Sequence, residues 1–150
     1  MSIDEKVAHL GFIQGVINRM GNNSFLVKGW TVALVAAIFA LASKDSKSSF
    51  VYVALLPIIV FWLLDSYYLR EEKLFRKLYE GVAAGTIKSD NFTMKTTGFD
   101  HEVPALLRTA VTRTVFPFYL LIILILAIVA AGTKANIDWH FICNCVPAKK

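Results

Sequence analysis

The amino-acid sequence predicts an all-α fold: a polytopic helical membrane protein with three transmembrane helices, an N-terminal amphipathic helix and cytoplasmic helical extensions. Three observations carry that prediction. Apolar runs cover Trp30–Ala42, Phe50–Leu64 and Val115–Ala131; the last is seventeen residues without a charge, and the first grows to nineteen if counted from Phe25 to Ser43. A spanning helix needs about 20 mostly apolar residues at a rise of about 1.5 Å each, a length all three reach with modest interfacial help. Hydrophobic residues make up 56% of the chain and charged residues 18%, against roughly 45–50% and 25% in soluble domains. The runs also lack the alternation of a barrel strand, and an open sheet would leave backbone groups unpaired in lipid, so helix is the spanning structure.

Five segments follow: an amphipathic helix over 1–23, a transmembrane hairpin over 24–69, a basic helical segment over 70–114, a third span over 115–133 and a tail over 134–150. In the leader, Ile3, Val7, Leu10, Ile13 (or Gln14), Ile17 and Met20 recur at steps of three and four, a helical stripe. Asp4, Glu5, Lys6, Gln14, Asn18 and Arg19 fill much of the remainder, and Ser2 with Glu5 forms a capping box. A polar face that is acidic as well as basic favours packing against the extension of span two over lying on the inner leaflet. Gly21-Asn22-Asn23-Ser24 reads as a C-cap and turn, with Ser24 capping the first span.

Span one carries Lys28, placed to snorkel to the headgroups, and Trp30 at interfacial depth. Ala40-Leu41-Ala42 mimics a signal-peptidase site, but the long helical leader before it points to an uncleaved span. Lys44 to Ser49 is a polar turn that makes spans one and two an antiparallel hairpin. Span two contains Pro57, expected to bend it, and ends on Trp62, Tyr67 and Tyr68 with Asp65 among them. Near an interface that aspartate costs much less than the roughly 2.5–3.5 kcal/mol of the bilayer centre. Beyond Leu69 the helix runs on, with Leu74, Phe75, Leu78, Tyr79 and Val82 on one face and Glu72 spaced to pair with Arg76, until Gly81 and Gly85 end it. A short strand is expected around Ile87 to Met94. Asp100 and Pro104 then start a helix carrying Leu106, Leu107, Arg108, Val111 and Arg113 into span three.

Orientation follows from Lys and Arg. Lys6 and Arg19 of the leader, Lys28 at the membrane edge and the eight of the 70–115 segment make eleven, and the Lys44–Ser49 turn with the tail holds five. The positive-inside rule therefore places the N-terminus and the 70–115 segment in the cytoplasm and the tail outside. No enzyme constellation is found. Gly85-Thr86-Ile87-Lys88-Ser89 lacks the spacing of a phosphate loop, and His101-Glu102 lacks the second histidine of a zinc protease. No cofactor and no metal centre is expected. In the tail, Cys143 and Cys145, near Asp138 and His140, leave three readings open: thiols without a role, disulfides between subunits, or metal ligands.

The functional candidates are basic. Arg70, Lys73 and Lys77 share a helical face with Arg76 to its side, and Arg108 and Arg113 lie before span three. Repeated about an axis they would form rings suited to a polyanion; alternatively they bind lipid headgroups and fix topology. The segment's net charge is only +2, eight basic minus six acidic residues. Ala33, Ala37 and Ala40, with Ala36 between, give small-xxx-small spacing on span one, a packing or pore-lining surface. Three spans make a poor conduit alone, so transport would require a homo-oligomer.

The stretches His9-Leu10-Gly11-Phe12-Ile13-Gln14-Gly15-Val16-Ile17-Asn18-Arg19-Met20, Asn23-Ser24-Phe25-Leu26-Val27-Lys28-Gly29-Trp30 and Leu64-Asp65-Ser66-Tyr67-Tyr68-Leu69-Arg70-Glu71-Glu72 resemble small bacterial membrane effectors of defence islands, those of the Hailong anti-phage systems. The resemblance covers roughly residues 3–80. It implies an inner-membrane ion channel, as a tetramer, held closed by a nucleic-acid oligomer that a partner nucleotidyltransferase makes. Removal of that oligomer on infection would open the channel and depolarise the cell. The ligand so implied is a short single-stranded DNA or a cyclic nucleotide. The basic cluster continuous with spans two and three makes Arg70, Lys73, Arg76 and Lys77 the expected contacts, with Asp65 a polar group at the cytoplasmic mouth. Competing expectations are a non-conducting adaptor that recruits a soluble partner through the leader, and an ungated membrane-perturbing toxin.

Overall fold

The computed structural model of the chain describes residues 3–45 and 49–134. Among them the secondary structure is helical throughout: α1 (Ile3–Asp45), α2 (Ser49–Ala83), a 3-10 turn at Thr97–Phe99, α3 (Leu106–Ala110) and α4 (Phe116–Lys134). The stretches Ile3–Leu41 and Tyr52–Ala83 are long and apolar enough to cross a membrane, and Phe116–Ala131 is a shorter apolar helix. Ser2 of the expected capping box and the whole of the tail beyond Lys134, including Asp138, His140, Cys143 and Cys145, lie outside the described residues.

α1 and α2 are antiparallel partners along most of their lengths. Contacts running from Lys6 with Ala83 to Lys28 with Asp65 fix that direction. At a rise of about 1.5 Å per residue the two helices are about 65 and 53 Å long. They are therefore long enough to carry both an apolar and a polar half.

The expected turn at Gly21–Ser24 does not form; α1 runs through it without a break. One Gly at about 1 kcal/mol and three residues of modest helix propensity disfavour helix there. Packing on α2 outweighs them. Ser24 is buried, and a Cβ on Gly21 would lie 3.7 Å from Glu72.

In the polar half, Ile13 and Ile17 of the leader pack with Leu78 and Val82 of α2, flanked by Leu10, Phe75, Tyr79, Ile87 and Phe99. The later part of the leader stripe, Leu10, Ile13 and Ile17, thus finds its partner in the extension of α2, while Ile3 and Val7 stay exposed. α2 ends as a Schellman motif: Thr86 N donates to Gly81 O (3.0 Å), Gly85 N donates to Val82 O (3.1 Å), and Gly85 takes φ +77°. Lys6 Nζ donates to Ala83 O at 2.7 Å, placing a cation on the helix's negative end.

The strand expected over Ile87–Met94 is absent; the segment is a series of turns and bends. His9, fully buried, bonds Ser89 Oγ through Nδ1 (3.2 Å) and Thr93 O through Nε2 (2.9 Å). Its ring meets Phe92 edge-on, and Phe92 carries φ 42°. A ladder would need a neighbouring strand, and a single helical histidine supplies the partners instead.

The helix expected to run from Asp100 and Pro104 into span three is also interrupted. α3 is only Leu106–Ala110, and residues 111–115 form a turn before α4. Thr109 Oγ1 bonds Pro104 O and Ala105 O, and Thr112 Oγ1 bonds Thr109 O. Such side-chain bonds compete with the helical ladder.

In the apolar half, Val35, Ala54, Ile58, Val115, Tyr119, Ile122 and Leu126 form the buried cluster joining the three apolar helices. Trp62 stacks on Tyr119 at 5.8 Å, and an open apolar groove of about 260 Å³ separates α1 from α4 between Val32, Phe39, Phe118 and Ile125.

Truncating Leu78 to Ala should cost about 2–5 kcal/mol, the range for a buried leucine. The check is equilibrium unfolding in detergent. Replacing His9 with Ala should speed amide exchange across residues 86–96 while leaving α4 at its original rate.

Candidate functional site

Between Phe25 and Ser43 the sole charged residue is Lys28, and between Phe50 and Leu69 it is Asp65. The antiparallel register brings these two together. Lys28 Nζ lies 2.8 Å from Asp65 Oδ1 and 2.6 Å from Oδ2. Nζ donates along a good hydrogen-bond direction to Oδ1, while Oδ2 is in ionic contact without an aligned donor. Ser24 Oγ donates to Oδ1 and accepts from Lys28 Nζ at 2.9 Å.

The surroundings are closed. Asp65, Ser66 and Thr31 are fully buried, and the Lys28 side chain is 20% exposed. Thr31 and Ser66 spend their hydroxyl protons on Val27 O (2.8 Å) and Trp62 O (2.6 Å). Tyr119 of α4 donates to Phe61 O at 3.0 Å and lies within electrostatic reach of Asp65. All three apolar helices therefore meet at one buried ion pair.

Two expectations change. Lys28 turns inward to Asp65 instead of snorkelling outward, because its partner is fully buried and would otherwise be an uncompensated charge. Asp65 is inside the helix junction, not on an open edge. The sequence did carry a signal: two apolar runs each with one charge, of opposite sign, are expected to pair.

The basic face of α2 is present but largely neutralised within the chain. Arg70 pairs with Asp100 (2.8 Å), Arg76 with Glu72 (2.7 Å), and Lys77 with Glu80 (3.0 Å) and Glu102 (3.7 Å). The Glu72–Arg76 pair is the one expected from helical spacing. Asp100 and Glu102 flank the same loop, so residues 100–102 lie along the basic row. Lys73 is half-buried, Arg108 and Arg113 are exposed, and none of the three forms a salt bridge among the described residues. Ala33, Ala37 and Ala40 face outward. Asp65 is therefore brought together with Lys28, while the alanines and the basic row occupy separate surfaces.

Among the described residues no group of three His, Cys, Asp or Glu side chains is placed to hold a metal. Ser89 and His9 make a serine–histidine pair, but both are fully buried, so a substrate has no approach. No family model, curated protein or solved structure matches the chain.

Breaking a buried ion pair from one side typically costs about 3–5 kcal/mol, whereas apolar replacement of both partners is often neutral or stabilising. Lys28→Met should be the more damaging single change, because it strands the fully buried carboxylate. Asp65→Leu leaves a lysine that can swing towards the surface. The Lys28→Met/Asp65→Leu double variant should recover most of the loss in detergent unfolding; additive losses would refute the pairing energetics.

Proposed function

We propose that the chain is an oligomeric ion-channel effector of the bacterial inner membrane. A nucleotide or nucleic-acid ligand gates it through its cytoplasmic half, and its opening depolarises the membrane to abort phage infection. The observation that supports membrane insertion is the outward-facing apolar belt. Only 22% of each spanning window is buried within the chain, whereas the core helix of a soluble protein hides most of its apolar surface. Phe25, Trp30, Leu56, Leu121 and Ile128 are among the large side chains left exposed.

α4 supplies the third span in this reading. Its 19 residues reach about 28 Å, close to the 30 Å hydrocarbon core, with a mismatch cost of fractions of a kcal/mol per Å. The Lys and Arg distribution sets the N-terminus and residues 70–115 in the cytoplasm and the C-terminus in the periplasm. Three spans enclose no path, so conduction falls to a homo-oligomer, tetrameric by resemblance. Ala33, Ala37 and Ala40 on the outward face of α1 offer close helix approach between copies.

Gating follows from the chain's own carboxylates. Exposed ion pairs are worth about 0–1 kcal/mol each, so a phosphate-rich ligand can take Arg70 and Lys77 from Asp100 and Glu102. Arg76 and Lys73 then extend the contact. The displaced loop leads through α3 into α4, and α4 is tied to α2 one turn before Asp65 by the Tyr119 hydroxyl on Phe61 O. Ligand binding and span packing are thereby coupled through covalent continuity.

A second reading has its own observation. Ile3, Val7 and Phe12 project from the leader as exposed apolar side chains, Ile3 at 82%. They suit a non-conducting adaptor that recruits a soluble partner.

Ion flux from liposomes carrying the purified protein, with and without short single-stranded DNA or cyclic nucleotides, tests the channel. Ligand-dependent flux is expected, lost on charge reversal at Arg70, Lys73, Arg76 and Lys77. Asp100→Asn and Glu102→Gln should each tighten the ligand response, measured as a lower half-effective ligand concentration. No flux from a verified oligomer under any ligand would shift the assignment to the adaptor.

A further inference from the structure

The segment joining the polar half to α4 pairs two unneutralised arginines with exposed apolar side chains at one level of the molecule. Trp62 Nε1 donates to Ala110 O at 3.0 Å, fixing the end of α3 beside α2. That level lies between the outward apolar side chains Ile59, Val60 and Leu63 and the exposed Tyr67. Trp and Tyr concentrate at the depth where headgroups meet acyl chains. On the outer side of α3, Leu107 and Val111, four residues apart, are 75% and 60% exposed. Thr109 and Ala110 are buried against the rest of the protein, so the outward orientation of Leu107 and Val111 is fixed.

Arg108, next to Leu107, and Arg113, two residues beyond Val111, are both exposed. Unlike Arg70, Arg76 and Lys77, they have no carboxylate partner among the described residues. The nearby acids Asp100 and Glu102 are committed to Arg70 and Lys77.

From this placement we infer that the α3 elbow, Leu107–Arg113, is a membrane-surface anchor that binds the phosphates of anionic lipids. Leu107 and Val111 enter the boundary between headgroups and acyl chains, and Arg108 and Arg113 hold lipid phosphates through charge-assisted bonds. Each arginine near an anionic leaflet is worth about 1 kcal/mol, about fivefold in local lipid preference. Anionic lipid then holds the hinge between the ligand-binding face and α4. The inference rests on the membrane insertion proposed above.

The test places an environment-sensitive fluorophore at Leu107→Cys in a Cys143→Ser/Cys145→Ser background of the full-length chain. The protein is reconstituted in phosphatidylcholine vesicles containing either brominated phosphatidylglycerol or brominated phosphatidylcholine at equal mole fraction. Resistance to alkaline carbonate reports insertion separately. Brominated phosphatidylglycerol should quench at least about twofold more strongly, and Arg108→Gln/Arg113→Gln should bring the ratio to one while carbonate resistance persists. Equal quenching by both lipids, or an unquenched probe on a carbonate-resistant protein, overturns the anchor and leaves insertion standing. Extraction by carbonate removes both. Short single-stranded DNA bound in detergent through Arg108 and Arg113, without lipid preference, would reassign the pair to nucleic acid.

Discussion

A buried aspartate has to be neutralised, and in this protein that requirement sets the relation between the two long helices. Asp65 is fully enclosed, and the ammonium that reaches it sits on α1, thirty-seven residues earlier in the chain. Sliding α1 by one turn, about 5.4 Å, would withdraw Lys28 and Ser24 together and leave a carboxylate in an apolar junction. Apolar contacts such as Val35 with Ala54 and Ile58 tolerate many registers; the ion pair does not. A buried ion pair is weak evidence for net stability, and fixing the alignment of elements is its best-attested use.

That alignment propagates in both directions. Towards the polar half, the same register seats Ile13 and Ile17 on Leu78 and Val82 and brings Lys6 to the carbonyl end of α2. His9 then reaches Ser89 and Thr93 and holds a segment that has no regular structure of its own. Towards the apolar half, Tyr119 bonds Phe61 O one turn before Asp65, and Trp62 serves two elements, stacking on Tyr119 and hydrogen-bonding Ala110. One junction thereby couples α1, α2, α3 and α4.

The surface divides by chemistry. On α2, Arg70, Arg76 and Lys77 are held by carboxylates, of which Asp100, Glu80 and Glu102 are exposed, whereas Lys73 and the elbow's Arg108 and Arg113 form no salt bridge among the described residues. The outward apolar belt and the groove between α1 and α4 are unfilled by the described residues. A protein arranged this way keeps its strongest interaction inside and its exchangeable ones at the edges.

Composition and periodicity alone determined that the chain is helical, that apolar runs occupy three places, and that α2 continues past Leu69 with a Glu72–Arg76 pair, because these depend on residues a few positions apart. The leader's choice of partner was also legible, from its mixed-charge face. Tertiary structure decided the rest. Gly21–Ser24 stayed helical because contacts with Asp65 and Glu72, more than forty residues away, outweighed local propensity. Residues 87–94 failed to form a strand because their hydrogen-bond partner was His9, about eighty residues earlier. Lys28 turned inward because its counter-charge lay on another helix, and Arg70 was neutralised by a loop carboxylate that local spacing could not place, whereas Lys77 pairs first with Glu80 three residues on and only more distantly with the loop's Glu102. Propensity acts between neighbours in sequence, while desolvated charge and orphaned backbone groups find their partners only in space.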